Sequence, residues 1–290
     1  MSNMEENKNL DKTNINWYPG HMAKTKREIK EKIDLIDIVY EIIDSRMPKS
    51  SRIIDLDELI KNKPRILIFT KYDLCDRDIT DKYINEYQKR YTVIKTNLKE
   101  NSNINKLIID KTEELLKSIN QKRLEKGLNK RNYRALVIGV PNVGKSTLIN
   151  RLAGRNVTKT GNAPGITKNI SWIKLNKNIE LLDTPGVLYP RIDDKIIGLN
   201  LASLSSIKEE ILNKEEISSY IIEVLYKYYP ELLFNKYGID NIDDINIVFD
   251  KIGRKRGCLM KGNIVDLDKV YTVIMNDLKE GKIGKVTFDR

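Results

Sequence analysis

Cysteine and histidine are scarce in this 290-residue chain, which has two cysteines and one histidine. Cys75 and Cys258 lie far apart and have no Cys or His neighbours at metal-ligand spacing, which excludes a zinc site and argues against a disulfide framework. No apolar run approaches the roughly 20 residues that cross a bilayer as a helix. Residues 1–15 are polar and lack the apolar segment of a signal peptide. We therefore expect reduced thiols, a cytoplasmic location and no membrane partner.

Acidic residues are outnumbered, because 41 Asp and Glu face 52 Lys and Arg, for a net charge of +11. Such a balance favours a polyanionic partner, since Lys and Arg displace condensed counterions from phosphates. The chain is also rich in Lys, Asn and Ile, a bias that the nucleotide composition of a genome can impose without any binding role. Net charge alone leaves both explanations open, so the placement of the basic residues has to decide.

Short apolar runs alternate with helical patterns through the first 182 residues, which predicts an α/β sheet. The predicted strands are 35–43, 64–69, 91–95, 133–138, 169–175 and 179–182, the last two as an antiparallel hairpin. The predicted helices between them are 78–90, 103–126 and one from Gly144 to Gly154.

Strand signals stop near Leu204, and three apolar helical stripes follow. They span residues 217–228, ended by Pro230, then 245–252 and 267–278. We predict a mostly parallel sheet flanked by helices, followed by a smaller all-α domain. The predicted division is an arm at 1–25, an α/β domain at 26–204 and a helical domain at 205–290.

Residues 139–146, with the sequence GVPNVGKS, fit the phosphate-loop pattern and lie between a predicted strand and a predicted helix. Backbone N–H groups of such a loop surround phosphates, Lys145 reaches the β- and γ-phosphates, and Ser146 can ligate Mg²⁺. A chance glycine-rich turn is the alternative, and the flanking elements disfavour it. The predicted nucleotide-binding residues here are Asn142, Val143, Gly144, Lys145, Ser146 and Thr147.

Asp183 follows a predicted strand and begins the turn Asp-Thr-Pro-Gly, 37 residues after Ser146. At that place Asp183 can hold Mg²⁺ and the Gly186 N–H can reach the γ-phosphate. Thr167, at the end of the loop 161–167, is the expected switch residue that closes on Mg²⁺ and γ-phosphate. A plain surface loop is the alternative for this segment.

Thr70, Lys71, Tyr72 and Asp73 form a candidate guanine-recognition sequence. An Asp73 carboxylate accepts hydrogen bonds from guanine N1–H and the exocyclic amine, and the stem of Lys71 can cover the purine ring. The usual first residue is Asn, which ties the base loop to the phosphate loop, and Thr70 in its place weakens the prediction. A second base-side element is expected after the next strand, at Thr96 and Asn97.

The base-recognition sequence precedes the phosphate loop, whereas an ordinary GTP-binding domain has the reverse order. A nucleotide site depends on where strand ends meet in space and not on their order in the chain. The inversion therefore predicts a circularly permuted P-loop GTPase domain.

The chain resembles the circularly permuted GTPases of ribosome assembly, and among them the ribosome biogenesis GTPase A family. Besides the permuted motifs, the resemblance rests on residues 17–22 (WYPGHM), 44–48 (DSRMP) and 253–258 (GRKRGC), so it spans nearly the whole chain. It implies hydrolysis of GTP to GDP and phosphate, late maturation of the large ribosomal subunit, stimulation by that particle and binding of its RNA.

Many GTPases place a glutamine after the Asp-x-x-Gly turn to orient the attacking water. This chain has Val187 there, which cannot orient water. The resemblance points to His21 instead, with packing or RNA contact beside Trp17 as the alternative. The predicted catalytic residues are His21, Lys145, Thr167 and Gly186.

Mg²⁺ is expected at the site, and K⁺ is a further candidate. Ser146, Thr167 and Asp183 are the predicted Mg²⁺ ligands. Asn142 is a candidate ligand for K⁺, because related phosphate loops use an asparagine there to bind that ion, and a fixed cation offsets developing charge. A role in shaping the loop is the alternative for Asn142.

Two basic clusters are better candidates for RNA contact than the net charge. The first adjoins aromatic residues that can stack on bases, and the second lies in a predicted Gly-bounded turn between two helices. The predicted RNA-binding residues are Lys24, Lys26, Arg27, Arg254, Lys255, Arg256 and Lys261. Each cluster alone also fits an ordinary solvated face, and the resemblance favours ribosomal RNA.

We therefore expect an assembly factor, monomeric away from the ribosome, that couples GTP or GDP binding to binding and release of the large subunit. An RNA-binding switch with incidental hydrolysis is one alternative, and a permuted GTPase of another ribosomal particle is a second. A P-loop enzyme that modifies a small molecule is disfavoured, because no second substrate cleft is evident.

Overall fold

A computed structural model describes most of the chain. The described residues are 20–53, 56–100, 103–158, 171–175, 178–185, 194–207 and 213–290, with the backbone alone for 20–24 and 171. Within these residues no helix is both long and apolar enough to span a bilayer.

The described residues form six strands and ten α-helices. The strands are β1 Ile38–Asp44, β2 Arg65–Thr70, β3 Thr92–Lys95, β4 Tyr133–Ile138, β5 Ser171–Lys174 and β6 Ile179–Asp183. The helices are α1 Gly20–Lys32, α2 Leu56–Ile60, α3 Arg77–Gln88, α4 Ile104–Glu125, α5 Lys145–Ala153, α6 Lys195–Ser203, α7 Lys214–Tyr228, α8 Pro230–Tyr237, α9 Ile245–Arg256 and α10 Leu267–Lys279.

The strands form one sheet in the order β3-β2-β1-β4-β6-β5, parallel except for β5, which pairs antiparallel with β6. Strand β1 pairs with both β2 and β4, and every residue of β1 and β2 is buried. The continuous apolar character of these runs reflects helices on both faces of the sheet. The prediction of a mostly parallel α/β sheet followed by a helical part is confirmed.

Permutation is visible in the sheet, because its two central strands, β1 and β4, are not consecutive in the chain. Strand β4, which leads into the phosphate loop, is fourth in sequence yet pairs with β1. The base-recognition sequence ends β2, on the other side of β1. Since parallel strands end at the same edge, the motifs meet despite their reversed order.

Several predicted boundaries shift for local reasons. The first strand begins at Ile38 instead of Leu35, because Ile33–Leu35 forms a 3-10 turn and Leu35 is half exposed. The hairpin strand runs from Ser171 to Lys174, within the predicted 169–175. Pro230 ends the first C-terminal stripe as expected, but it also begins α8, where its missing N–H costs nothing. The sequence patterns did not reveal α2, α6 or α8.

Helix starts are specified by side chains that accept hydrogen bonds from first-turn backbone N–H groups. The capping residues are Asp76 for α3, Asp194 for α6, Asn213 for α7, Asp244 for α9 and Asp266 for α10. These short polar residues explain why the helices begin where they do.

The C-terminal helices α7, α9 and α10 pack together, and α6 packs against α7. After α10 the chain returns to the α/β part. The Val286 N–H donates to the Leu74 carbonyl at 3.1 Å, and the Phe288 N–H donates to the Arg46 carbonyl at 2.9 Å. Both returning side chains are buried. The last residues therefore join the helical part to the sheet, whereas the division at 204/205 stays a prediction.

Candidate nucleotide-binding site

The phosphate loop occupies residues 139–146, between β4 and α5. A Cβ at Gly139 would come within 2.7 Å of the Ile42 carbonyl oxygen, so only glycine lets the loop pass β1 this closely. Gly144 has φ 102°, a left-handed conformation that glycine adopts without strain. Predicted ligands Val143, Ser146 and Thr147 are buried, half-buried and exposed, respectively. The loop has the form that directs backbone N–H groups toward phosphates.

Lys145 is folded over its own loop. Its Nζ donates to the Gly139 carbonyl at 3.0 Å and to the Val140 carbonyl at 2.8 Å. Burial lowers the pKa of this ammonium to about 8, and Asp183 opposes the shift. The ammonium is held at the loop by weak neutral acceptors, which a phosphate oxygen would outcompete through charge.

Asp183 ends β6, in register with Val137 of β4. It is 1% exposed, and neither carboxylate oxygen has a hydrogen-bond partner among the described residues. Burial raises the pKa of this carboxyl to about 6, although the charge of Lys145 opposes the shift. A buried, unpartnered carboxylate is costly. This donor fits a hard divalent cation such as Mg²⁺, which prefers oxygen ligands.

Thr70 supplies the tie that an asparagine was expected to make. Its hydroxyl lies 2.6 Å from the Val143 carbonyl of the phosphate loop and 3.1 Å from the Ile43 carbonyl of β1. The nearer oxygen is the better acceptor for the single proton. The base loop and the phosphate loop are therefore joined, through a shorter side chain than asparagine.

Lys71 lies between the two loops in a left-handed conformation, with φ 54°. Its Nζ donates to the Asn142 carbonyl at 2.8 Å and to Asp44 Oδ2 at 2.8 Å. Burial lowers the pKa of this ammonium, and the Asp44 carboxylate opposes the shift. The Lys71 side chain is thus held at its ammonium group, and its aliphatic stem lies between that group and the backbone of the base-recognition sequence.

The predicted second base-side element lies next to the first. The Tyr72 N–H donates to the Thr96 carbonyl at 3.3 Å. The Thr96 hydroxyl is buried and has no partner within the described chain, whereas Asn97 Oδ1 accepts from the Lys99 N–H at 2.9 Å. Asp73 is half exposed. The ends of strands β2 and β3 therefore bring together the residues that are predicted to bind the guanine base.

Asn142 contacts a residue that the motif analysis did not identify. Its Nδ2 donates to the Ser205 carbonyl at 2.5 Å, and the Ser206 hydroxyl donates to the Pro141 carbonyl at 2.8 Å. Ser205 and Ser206 follow α6 and lead toward the helical part. No local motif marks them, because the contacts join residues more than sixty positions apart.

Several predicted residues lie outside the described part of the structure. Thr167 and Gly186 are among the residues not described, as are the side chains of His21 and Lys24. Of the first basic cluster, the structure describes Lys26 as half-buried and Arg27 as exposed, both on α1.

The second basic cluster is not in a turn as predicted, apart from Lys261. Arg254, Lys255 and Arg256 form the last turn of α9, where cations offset the helix dipole. Arg254 pairs with Asp250 at 2.7 Å, and Arg256 pairs with Asp277 at 3.1 Å. The turn forms later because α9 continues to Gly257, whose φ of 68° ends the helix. Part of the charge in this cluster is thus neutralised within the fold.

The fold and the site define a circularly permuted P-loop GTPase. A family model described as "50S ribosome-binding GTPase" matches residues 134–248, from the strand before the phosphate loop onward. The match begins after the base-recognition sequence, as expected for a chain whose motifs are permuted.

Curated relatives cover nearly the whole chain. Ribosome biogenesis GTPase A of Bacillus cereus is 43% identical over 277 residues, 95% of this chain and 93% of that protein. Ribosome biogenesis GTPase A of Thermotoga maritima is 31% identical over 95% of this chain and 94% of that protein. The crystal structure of GNP-bound YlqF from T. maritima matches with a TM-score of 0.63 and 29% identity, covering 92% of this chain and 98% of that one. The chain belongs to the ribosome biogenesis GTPase A family, and it is a GTPase.

Replacing Asp183 by Asn should stabilise the nucleotide-free protein while weakening its function. In EDTA at pH 8 we expect the free energy of unfolding to rise by about 1–3 kcal/mol, because the folded state no longer holds an unpartnered buried carboxylate. The carboxyl pKa is 3.8 ordinarily and about 6 when folded. The penalty is therefore absent below about pH 4 and complete above about pH 6. Urea unfolding followed by circular dichroism measures it.

Asp37→Asn is the matched control, because that buried carboxylate is bonded to Arg131 at 2.7 Å through both oxygens. The control should destabilise the protein. Destabilisation by Asp183→Asn at pH 8 would contradict the assignment of Asp183 as an unpaired anion.

Thr70→Val keeps the side-chain shape and removes the hydroxyl between the two loops. We expect the Kd for GDP to rise by about five-fold, the effect of one neutral hydrogen bond. Fluorescence titration with a labelled GDP measures it. Thr112→Val is the control, since that hydroxyl is buried in α4 and donates to the Ile108 carbonyl at 2.7 Å. Equal GDP affinity in both variants would show that Thr70 does not order the site.

Proposed function

We propose that the protein is an assembly factor for late maturation of the large ribosomal subunit. In this proposal it binds ribosomal RNA in the cytoplasm and couples its nucleotide state to particle binding and release. One observation carries the ribosomal part: the family model that spans the phosphate loop and Asp183 is described as a 50S ribosome-binding GTPase. The net charge of +11 supports a polyanionic partner.

Hydrolysis proceeds by attack of water on the γ-phosphorus of GTP, with cleavage of the bond to the β–γ bridging oxygen and release of GDP and inorganic phosphate. Lys145 leaves its two loop carbonyls for the β- and γ-phosphate oxygens. Asp73 accepts from the guanine N1–H and amine, while the Lys71 stem covers the ring. When bound, Mg²⁺ neutralises charge on the phosphates. Asp183, Ser146 and Thr167 are the residues that would hold it.

Water has to be oriented by a group other than the residue after Gly186, because Val187 has no polar side chain. His21 is our candidate for that group, because an imidazole can accept or orient a proton of water. Asn142 is our candidate K⁺ ligand through its amide oxygen, since its amide nitrogen already donates to the Ser205 carbonyl.

Co-sedimentation with purified ribosomal particles tests the proposal. The protein with a non-hydrolysable GTP analogue should pellet with large subunits, and the bound fraction should fall with GDP. Small subunits are the control particle. Equal pelleting with both subunits, or none with either, would contradict the proposed partner.

The same assay examines the RNA contacts. Lys255→Gln with Lys261→Gln should reduce pelleting and flatten its salt dependence, because each lost phosphate contact lowers counterion release. Lys106→Gln with Lys117→Gln on α4 removes the same charge and should leave binding unchanged.

His21→Ala should keep GTP affinity and lower particle-stimulated turnover by roughly a hundred-fold, the typical contribution of a positioned acid or base. Single-turnover hydrolysis with and without large subunits measures this effect. Unchanged stimulated turnover would remove His21 from the mechanism. If large subunits fail to raise turnover in the parent protein as well, the alternative of an RNA-binding switch with incidental hydrolysis is favoured.

A further inference from the structure

We propose that Asp44 and Arg46 are positioning residues for the guanine-binding loop, and that they couple this loop to the C-terminal end of α10. The proposal rests on the proposed role of Lys71 beside the base. Neither residue is expected to touch the reacting phosphates. They hold Lys71 in place, and they make nucleotide affinity depend on the position of the C-terminal end of α10.

Asp44 is a buried anion with several donors. Its Oδ1 accepts from Arg46 Nε at 3.0 Å and from the Arg46 backbone N–H at 3.1 Å. Its Oδ2 accepts from Arg46 Nη2 at 2.8 Å and from Lys71 Nζ at 2.8 Å. Burial acts to raise the pKa of this carboxyl, but the two cations outweigh burial and hold it well below its usual range. Asp44 is therefore ionised and shared between Arg46 and Lys71.

Lys71 depends on this anion for its place. The other acceptor of its ammonium is the Asn142 carbonyl of the phosphate loop, which is neutral. The Lys71 side chain is 27% exposed, and a partly buried ammonium left with only a neutral acceptor is disfavoured. Loss of the Asp44 charge would therefore release the tip of Lys71 toward solvent and move the stem that covers the base.

Ser45, between Asp44 and Arg46, contacts Thr70, the first residue of the base-recognition sequence. Ser45 donates to the Thr70 carbonyl from its backbone N–H at 3.0 Å and from its hydroxyl at 2.6 Å. Segment 44–46 thus contacts both Thr70 and Lys71. A shift of this segment would move the whole start of the base-recognition sequence.

Arg46 joins this arrangement to α10. Its Nη1 donates to the Leu278 carbonyl at 2.7 Å and to the Lys279 carbonyl at 3.1 Å. These carbonyls belong to the last turn of α10, where helical partners are missing and the dipole is negative. The same guanidinium bonds Asp44 through Nε and Nη2. One buried cation therefore bonds Asp44, the residue that holds Lys71, on one side and the helix end on the other.

The residues after α10 fix the position of this helix end. The Phe288 N–H donates to the Arg46 carbonyl at 2.9 Å. Asp289 accepts from the Lys49 N–H at 2.6 Å, from the Ser50 N–H at 2.8 Å and from Asn200 Nδ2 at 3.0 Å. Lys49 and Ser50 form the seat for the C-terminal segment, and they follow shortly after Arg46 in sequence. A displaced C-terminal segment would therefore act on Arg46 through both its backbone and its side chain.

A positioning role predicts a particular kinetic pattern. Lys71 contacts the base, which does not change during hydrolysis, so its contribution is equal in the ground state and the transition state. Losing it raises KM and leaves kcat unchanged. Coupling between two sites is also reciprocal. If the packed position of the α10 end strengthens nucleotide binding, nucleotide binding must stabilise that position by the same free energy.

Asp44→Asn and Arg46→Lys test the proposal by basal GTPase kinetics and by hydrogen exchange with and without GDP. We expect KM to rise about ten-fold with kcat within two-fold of the parent, as for one charged hydrogen bond. In the parent, GDP should slow amide exchange in 270–289, and in both variants this effect should be lost. Arg131→Lys is the control, because its bidentate pair with Asp37 lies at the opposite ends of the strands.

The proposal is overturned if KM is unchanged in the variants, whether or not kcat falls. It is also overturned if GDP does not affect amide exchange in 270–289 of the parent protein. Asp73→Asn separates this result from failure of the base site itself. If Asp73→Asn leaves GTP affinity unchanged, the base site is misassigned. If it weakens GTP binding while Asp44→Asn and Arg46→Lys do not, the base site stands and the coupling is wrong.

Asp289→Asn covers the case in which neither variant folds. This change loosens the seat without touching Lys71, so exchange in 270–289 should increase and KM should rise about two- to three-fold. Increased exchange with an unchanged KM would overturn the proposal.

Discussion

Strand β1 pairs in parallel with both β2 and β4, and the nucleotide site depends on this double pairing. Strand β2 carries the base-recognition sequence and β4 carries the phosphate loop, so β1 sets the distance and direction between them. Hydrogen bonds then cross the remaining gap, from Thr70 to the Val143 carbonyl and from Lys71 to the Asn142 carbonyl. Reversal of the motifs in the chain leaves this geometry intact, because neighbouring strands need not be consecutive.

The site contains two buried carboxylates, of which one is paired with cations and the other is not paired in the described part of the chain. Asp44 is buried but fully paired, whereas Asp183 is buried with both oxygens unpartnered within the described residues. The first arrangement holds structure together, since removing either partner leaves a charge uncompensated. The second weakens the nucleotide-free fold, and a cation bound together with the nucleotide would relieve it. Such separation of structural and ligand-binding charges is a physical reason for stability to depend on nucleotide.

Prediction from sequence succeeded where the signal was local. The strands that lead into the phosphate loop, Thr70 and Asp183 were predicted close to their observed bounds, because apolar runs and flanking glycines are short-range features, and the binding roles of these residues stay predictions. The turn predicted at 254–256 was wrong, since helix α9 continues until Gly257 supplies a left-handed end. The hydrogen bond from Arg46 to the Leu278 carbonyl was not predicted either, because the two residues lie 232 positions apart. No spacing rule links positions so distant.

The sequence by itself determined the class of fold and the family and predicted the chemistry of the nucleotide loops, because local patterns of glycine, lysine and acidic residues mark these. Only the tertiary structure decided that Thr70 replaces the expected asparagine tie, that Asn142 faces Ser205, and that Asp44 and Arg46 connect the base loop to α10. The reason is physical. A buried polar group must find its partners wherever packing places them, and packing brings together residues whose separation along the chain carries no signal.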